Sequence, residues 1–470
     1  MMKDQTLLAS MFLVGSFLVA PLFVLQAQEK GTLTVVLAGD ANLHRKLSIY
    51  DDPAYQTLFQ KVRTADASFV NFETLAHPVN LAGGPYSGGV YSLAPGWISD
   101  EFKWAGFNLL SVANNHQFDY GDAGLRSSLK TLDAAGLVHA GAGENLAFAL
   151  APAYLDTAHG RVALVAVSST LTPGSWASEQ RPDLPGRFGI APLRYVATYT
   201  VDQATYDGIR TIAQQSKGSQ FEDGVYGIGH GRGDGYAASG QQDLRFGDAF
   251  YRVGAQRVVH TKADSDDLAG YVASVSNAHR QADLVIAAIH AHQSQPETRD
   301  LPPDFIVETA HAAIDAGADI FAVHGPHILK GIEIYKGKPI FYSLGNFAFD
   351  GDTQPFLPSE SYDGLHLGPA ANIADVFDVI TQKETGGLLK DKDFFESFIV
   401  ELTFDSSRNL TKIVLDPITL GQHEQRAQRG RPRPASPEDA KEILERVQRL
   451  SASYGTKVAI EDGRGVIRFR

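Results

Sequence analysis

Five short apolar runs in this chain each stop at a residue able to bind a metal ion. The run at 32–38 gives way to Asp40 in LAGDANLH, and the run at 68–71 to Glu73 in VNFETLAH. The run at 108–113 ends in Asn114, Asn115 and His116, within ANNHQFDYG. The run at 283–289 leads to His290 and His292 in AAIHAHQ, and that at 319–323 to His324 and His327 in AVHGPHILKG. Short apolar runs closed by polar and turn residues are strands buried on both faces. Further runs of this kind lie at 161–168, 331–335 and 338–343, and helix-period segments fall between the strands at 54–65, 95–105, 122–135, 204–215, 265–280 and 304–316. Such alternation specifies an α/β fold, and in α/β sheets ligands bind beyond the carboxyl ends of the strands.

A single histidine after a strand is ordinarily a hydrogen-bonded loop residue. Five strands that all deliver Asp, Glu, Asn or His to one edge are harder to explain in that way. The chain has no cysteine, so thiolate sites and disulfides are excluded and any ion must use N and O ligands. Mn, Fe or Zn fit such a set. Two carboxylates with several imidazoles exceed the needs of one four-coordinate ion and suit a pair of ions. The competing reading is a polar hydrogen-bond network lining a non-catalytic pocket.

Charge narrows the partners. With 41 basic and 54 acidic residues the net charge is −13, which disfavours nucleic acid, whose binding depends on neutralising phosphates. An anionic substrate stays open, because bound cations reverse the local sign. The N-terminus carries the apolar stretch TLLASMFLVGSFLVAPLFVL before a polar QAQEK. It reads as an export signal cleaved after Ala27, or as an uncleaved membrane anchor.

Elsewhere the sequence is less explicit. Residues 171–263 are rich in Gly, Tyr, Ser and Arg, including GVYGIGHGRGDGYAASG at 224–240, and read as a long insertion or lid. Residues 396–404 and 410–415 form a hairpin pattern, and RAQRGRPRP at 426–434 reads as a solvated linker. Ser436-Pro437 opens a helix with apolar positions at Ala440, Ile443, Leu444, Val447 and Leu450, followed by two short strands at 457–460 and 465–469.

Taken together, AGD at 38–40, NFE at 71–73, ANNHQFDYG at 113–121, the His290 block and HGPHILKGIEIYKGKPIFYSLGNFAFD at 324–350 resemble the CapA family of capsule and poly-gamma-glutamate synthesis proteins. That family is similar in fold to the calcineurin-like metallophosphoesterases. The resemblance implies a metallophosphatase-like αββα sandwich over 28–352, with an insertion at about 171–263. A leader at 1–27 precedes it, and a C-terminal β-plus-helix extension at 353–470 packs on it. It assigns Asp40, Glu73, Asn115, His290, His324 and His327 as ligands of one or two divalent ions. It makes His116 the proton donor, with Asp119 holding its ring, and places Asn114, His292 and Asn346 on the substrate side. The pattern departs from the phosphoesterases in three places. Asp40-Ala41-Asn42 replaces Asp-x-His, with His44 two residues late; Glu73 replaces an aspartate; and the closing pair is His-x-x-His. The implied function is synthesis or export of an anionic polymer such as poly-gamma-glutamate, through metal-assisted hydrolysis or polymer transfer. Capsule synthase components and the membrane are the expected contacts. The alternatives are a non-catalytic accessory subunit that binds the polymer or its synthase, and a general metal-dependent phosphodiesterase.

Overall fold

The computed structural model describes residues 31–216 and 243–469; the leader and the Gly-rich 224–240 stretch lie outside the described residues. Two sheets form the centre. The first has ten strands, with the order Ala459–Glu461, Arg464–Arg468, Leu410–Thr419, Glu396–Phe404, Leu33–Asn42, Ala67–Phe72, Leu109–Ser111 and Val138–Ala140; Asn346–Phe349 also pairs with Leu33–Asn42, and Arg433–Pro434 with Leu410–Thr419. The second has six, ordered Ile332–Tyr335, Lys338–Phe341, Ile320–His324, Leu284–His290, Gly160–Ser168 and Ala153–Thr157. In each sheet the strands that lead into the polar motifs run parallel to one another.

Three apolar layers follow from the strand sequences. Alternate residues of the first strand part company, as period-2 side chains must. Leu33, Val35 and Leu37 face the second sheet, where Leu164, Leu284, Ile286 and Ile320 meet them. Val36 and Ala38 face outward onto Phe59, Val62 and Phe102 of the helices Pro53–Thr64 and Ile98–Ala105. On the far side of the second sheet, Val285, Ala287 and Ile289 pack against Tyr271 and Val275 of Ser265–His279 and Phe305, Ala310 and Ala313 of Asp304–Asp315. The order helix, sheet, sheet, helix is the αββα sandwich expected from the resemblance.

The C-terminal strands join the first sheet, with Glu396–Phe404 lying antiparallel beside Leu33–Asn42. The helix Pro437–Ala452, capped by Ser436 as its sequence predicts, places Ile443, Leu444 and Val447 in the inter-sheet core. Two readings need correction. The 171–263 insertion holds a four-stranded sheet that the sequence did not announce, formed by Tyr195–Val201, Leu244–Phe246, Ala249–Val253 and Val258–Ala263, while the helix expected at 204–215 is present as Gln203–Ser216. The 426–434 stretch is not a solvated linker, because its arginines are paired. Arg429 is buried between Glu384 (2.8 Å) and Asp352 (2.6 Å), Arg426 meets Asp378 (2.7 Å), Arg433 meets Glu424, and Arg431 stacks on Tyr50. Among the described residues no helix is long and apolar enough to cross a membrane.

Candidate metal centre

The carboxyl ends of the two sheets meet across the inter-sheet core. Asp40 lies where the first strand's pairing with Ala67–Phe72 shifts register, and its N–H donates to Gly345 O at 2.9 Å. Gly39 makes that approach possible, since a Cβ there would sit 2.0 Å from the Gly345 oxygen. Glu73 follows directly on Phe72. In the second sheet His290 and His324 are register partners on adjacent strands. Gly325, at φ 104°, donates its N–H to Asp40 Oδ2 at 2.9 Å and packs against Ala291 and His292, where a side chain would collide.

Six acidic and imidazole groups converge there. Asp40 Oδ1 lies 3.9 Å from His290 Nδ1 and 3.5 Å from His324 Nδ1, and Oδ2 lies 3.6 Å from His327 Nδ1. Glu73 Oε1 is 3.6 Å from His290 Nε2, 3.6 Å from His327 Nε2 and 3.9 Å from His292 Nε2. Two sets, Asp40–Glu73–His327 and Glu73–His290–His292, each bring one candidate ligand atom per residue within 4.8 Å of the others. Glu73 belongs to both.

The electrostatics are those of a cation site. Both Glu73 oxygens, both His324 ring nitrogens and Asn115 Oδ1 are buried without a hydrogen-bond partner among the described residues. Orphaned buried polar groups are costly, so such a cluster calls for an explanation, and a bound cation is one. Burial, then the neighbouring Asp40 and Asp119 carboxylates, push the Glu73 carboxyl well above its usual range. Burial and mutual repulsion hold His290 and His292 well below theirs, and burial brings His324 down to about 4. Neutral imidazoles keep the lone pairs that a metal requires, and a bound cation would favour the ionised form of Glu73. The residues present therefore fit a divalent ion.

A second wall carries the remaining motif. Asn115 donates its amide to Gly88 O at 2.8 Å, which leaves its oxygen free. His116 Nδ1 contacts Asp119 Oδ2 at 2.8 Å. Asp119 also accepts from the backbone N–H of Gly88 (2.7 Å) and Ser92 (2.8 Å), so one carboxylate fixes both the imidazole and the loop facing it. Asn115, His116, His292 and His327 all line one cavity of about 260 Å³.

Not every expected residue sits as the sequence suggests. Asn114 does not face substrate: its amide group is spent on Asn71, Phe72 and the N–H of His116. Asn346 accepts from His327 Nδ1 at 2.8 Å and donates to backbone carbonyls, so it orients that ring. His292, placed on the substrate side from sequence, lies within a candidate ligand set; the His-x-His spacing at a strand end, which puts both rings on one face, was the signal for it. Asn71 was missed. It donates to Asp40 Oδ1 at 2.7 Å, lies 3.2 Å from His290 Nδ1, and shares the face of Glu73 two residues on. His44 turns away to Asp350 and Ser92.

Residues 34–351 match the family described as bacterial capsule synthesis protein PGA_cap. The chain is 34% identical to the Sinorhizobium fredii protein y4sH over 448 residues, covering 93% of each. It is 26% identical over 251 residues to the capsule biosynthesis protein CapA of Bacillus anthracis, covering 53% of this chain and 41% of that one. An 80-residue stretch is 45% identical to the PGA biosynthesis protein CapA of Bacillus subtilis, covering 17% of this chain and 20% of that one. Among solved structures, a phosphatase from Mycoplasma pneumoniae aligns over 83% of this chain and 94% of its own at TM-score 0.34 and 10% identity.

Proposed function

Because the chain belongs to the bacterial capsule synthesis protein PGA_cap family, we propose that it is an exported metal-dependent hydrolase of phosphoesterase type, acting in the synthesis or export of an anionic capsule polymer. Poly-gamma-glutamate is the polymer that the family resemblance implies, and relatives carry the names PGA biosynthesis protein and probable polyglutamine synthesis accessory protein. The leader at 1–27 is the export signal or the membrane anchor, and capsule synthase components are the partners.

The observation that carries the reading is the pair of ligand sets sharing Glu73. Asp40 and His327 would hold one ion and His290 and His292 the other, with Glu73 between them and His324 and Asn115 as further donors. When bound, divalent ions supply Lewis-acid polarisation of a phosphoryl or carbonyl oxygen and a nucleophile at neutral pH. The chain's own residues do the rest. Asn71 and the Gly325 N–H orient Asp40. Asn346 turns the His327 ring. Asp119 fixes His116 Nδ1 and with it the ring, so that the other ring nitrogen can pass a proton to the leaving group.

The test is metal analysis and turnover of the chain from Gln28 onward. Stoichiometric Mn, Fe or Zn and hydrolysis of an aryl phosphodiester are expected, both lost in Asp40→Ala while the circular-dichroism spectrum is kept. Metal-free protein that still binds the polymer, with no turnover after metal is supplied, would instead make it an accessory subunit.

A further inference from the structure

The cavity beside the metal centre has two unlike halves. Asn115, His116, His292 and His327 form the polar end. The rest is largely apolar: Phe349, Phe377, Ile380, Leu388, Phe394 and Phe395 line it. The halves are continuous, because the His327 ring lies 5.3 Å from that of Phe394 and 5.6 Å from that of Phe349, centroid to centroid. Most of this wall comes from the helix Ile373–Ile380 and the turns Gly387–Lys390 and Lys392–Phe395, beyond the span that matches the family.

Charge at the wall excludes the obvious occupant. Arg429 also lines the cavity, but it is already held by Glu384 and Asp352. With Arg426 on Asp378 and Glu384, two guanidiniums face three carboxylates. A carboxylate of polyglutamate would meet apolar side chains and satisfied arginines there, and burying an unpaired charge is costly. An apolar group gains from the same wall. A cavity of roughly 150 Å³ lined by apolar side chains holds a benzene molecule; at about 260 Å³ this one admits a single aryl ring or a short branched alkyl chain.

We propose that this cavity is a specificity subsite for a compact apolar substituent, carried by a phosphoester whose reacting group meets the metal centre. The inference rests on the hydrolase reading and narrows it: the molecule hydrolysed is a small amphipathic ester, and the anionic polymer chain does not enter the site.

Calorimetry on the Mn²⁺-loaded chain tests this with three probes: phenylphosphonate, methylphosphonate and a γ-linked glutamate oligomer. Phenylphosphonate should bind at least about tenfold more tightly than methylphosphonate, because the ring leaves water for the apolar wall. Leu388→Asp, at a half-exposed position that should tolerate the change, and Phe377→Ala should bring that ratio near one while leaving methylphosphonate affinity unchanged. Equal affinity for the two phosphonates, or tighter binding of the glutamate oligomer, would overturn the subsite while Mn²⁺ uptake left the hydrolase reading standing. Failure to take up Mn²⁺ at all would overturn that reading and the subsite with it.

Discussion

Glu73 carries two buried oxygens that no donor among the described residues reaches. A residue kept for packing would not be left so, and the sign of its effect on stability separates the two roles. Its carboxyl is held above the usual range, so ionising it costs the folded state stability as pH rises from the unfolded value. Glu73→Gln removes that cost. The metal-free variant should unfold with about 1–3 kcal/mol more resistance at pH 7 in urea melts, while Mn²⁺ affinity by calorimetry falls more than about hundredfold. A structural glutamate would show loss in both. Lys330 offers a separate residue-scale test. Its ammonium is buried on Ser294 Oγ (2.8 Å) and two carbonyls, and burial pushes it down to about 8. Between that pH and the unfolded value near 10.5 the unfolded chain binds the extra proton, so stability from this group rises with pH across the window. Lys330→Met should flatten that rise in the pH dependence of Tm relative to wild type.

The segment from Ile373 to Phe395 is held over the cavity by Arg426 and Arg429 at Asp378 and Glu384, and by Arg299 and Arg446 at Asp391 and Asp393. Arg429→Ala leaves Asp352 and Glu384 facing each other without their shared cation; it should cost about 3 kcal/mol and speed proteolysis within 373–395, read by limited digestion and mass spectrometry. This segment also marks where the sequence ceased to be legible. Strands such as Leu284–His290, buried along their whole length, announce themselves as unbroken apolar runs, and the helices facing them show a 3.6-residue period. The α/β class and the edge carrying Asp40, Glu73, His290 and His324 could therefore be read, while the two-sheet sandwich came from the family resemblance. Tyr195–Val201 could not, because its residues are mostly half-buried on a small sheet and lack a clean alternation. The arginines of 426–433 could not either: a basic run has the same sequence whether it meets water or carboxylates some 45 residues distant. Asn71 was hidden for a third reason, since its role depends on two partners from different strands.

At the scale of the whole molecule, the cation site and the fold are one thermodynamic unit, since the ligands come from both sheets. Mn²⁺ at a hundred times its dissociation constant should raise unfolding stability by about 2.7 kcal/mol. Chelator should remove the gain, and Asp40→Ala should show neither, as followed by Tm at fixed protein concentration. The first sheet carries a further consequence. The strand that bears Asp40 is flanked by Ala67–Phe72 on one side and by Glu396–Phe404 on the other. A fragment cut at 352 contains every candidate ligand and keeps Asn346–Phe349 beside Asp40, yet leaves the Leu33–Leu37 edge of that strand open, an invitation to aggregate; it should fail to elute as a soluble monomer or to retain Mn²⁺. During synthesis the same topology imposes a schedule. Every candidate ligand has left the ribosome once His327 has emerged, but the strand that seals Leu33–Asn42 is made only some seventy residues later. The chain would therefore carry its finished set of candidate ligands through a long unsealed interval, and any grip on an ion would tighten only once that strand has been made.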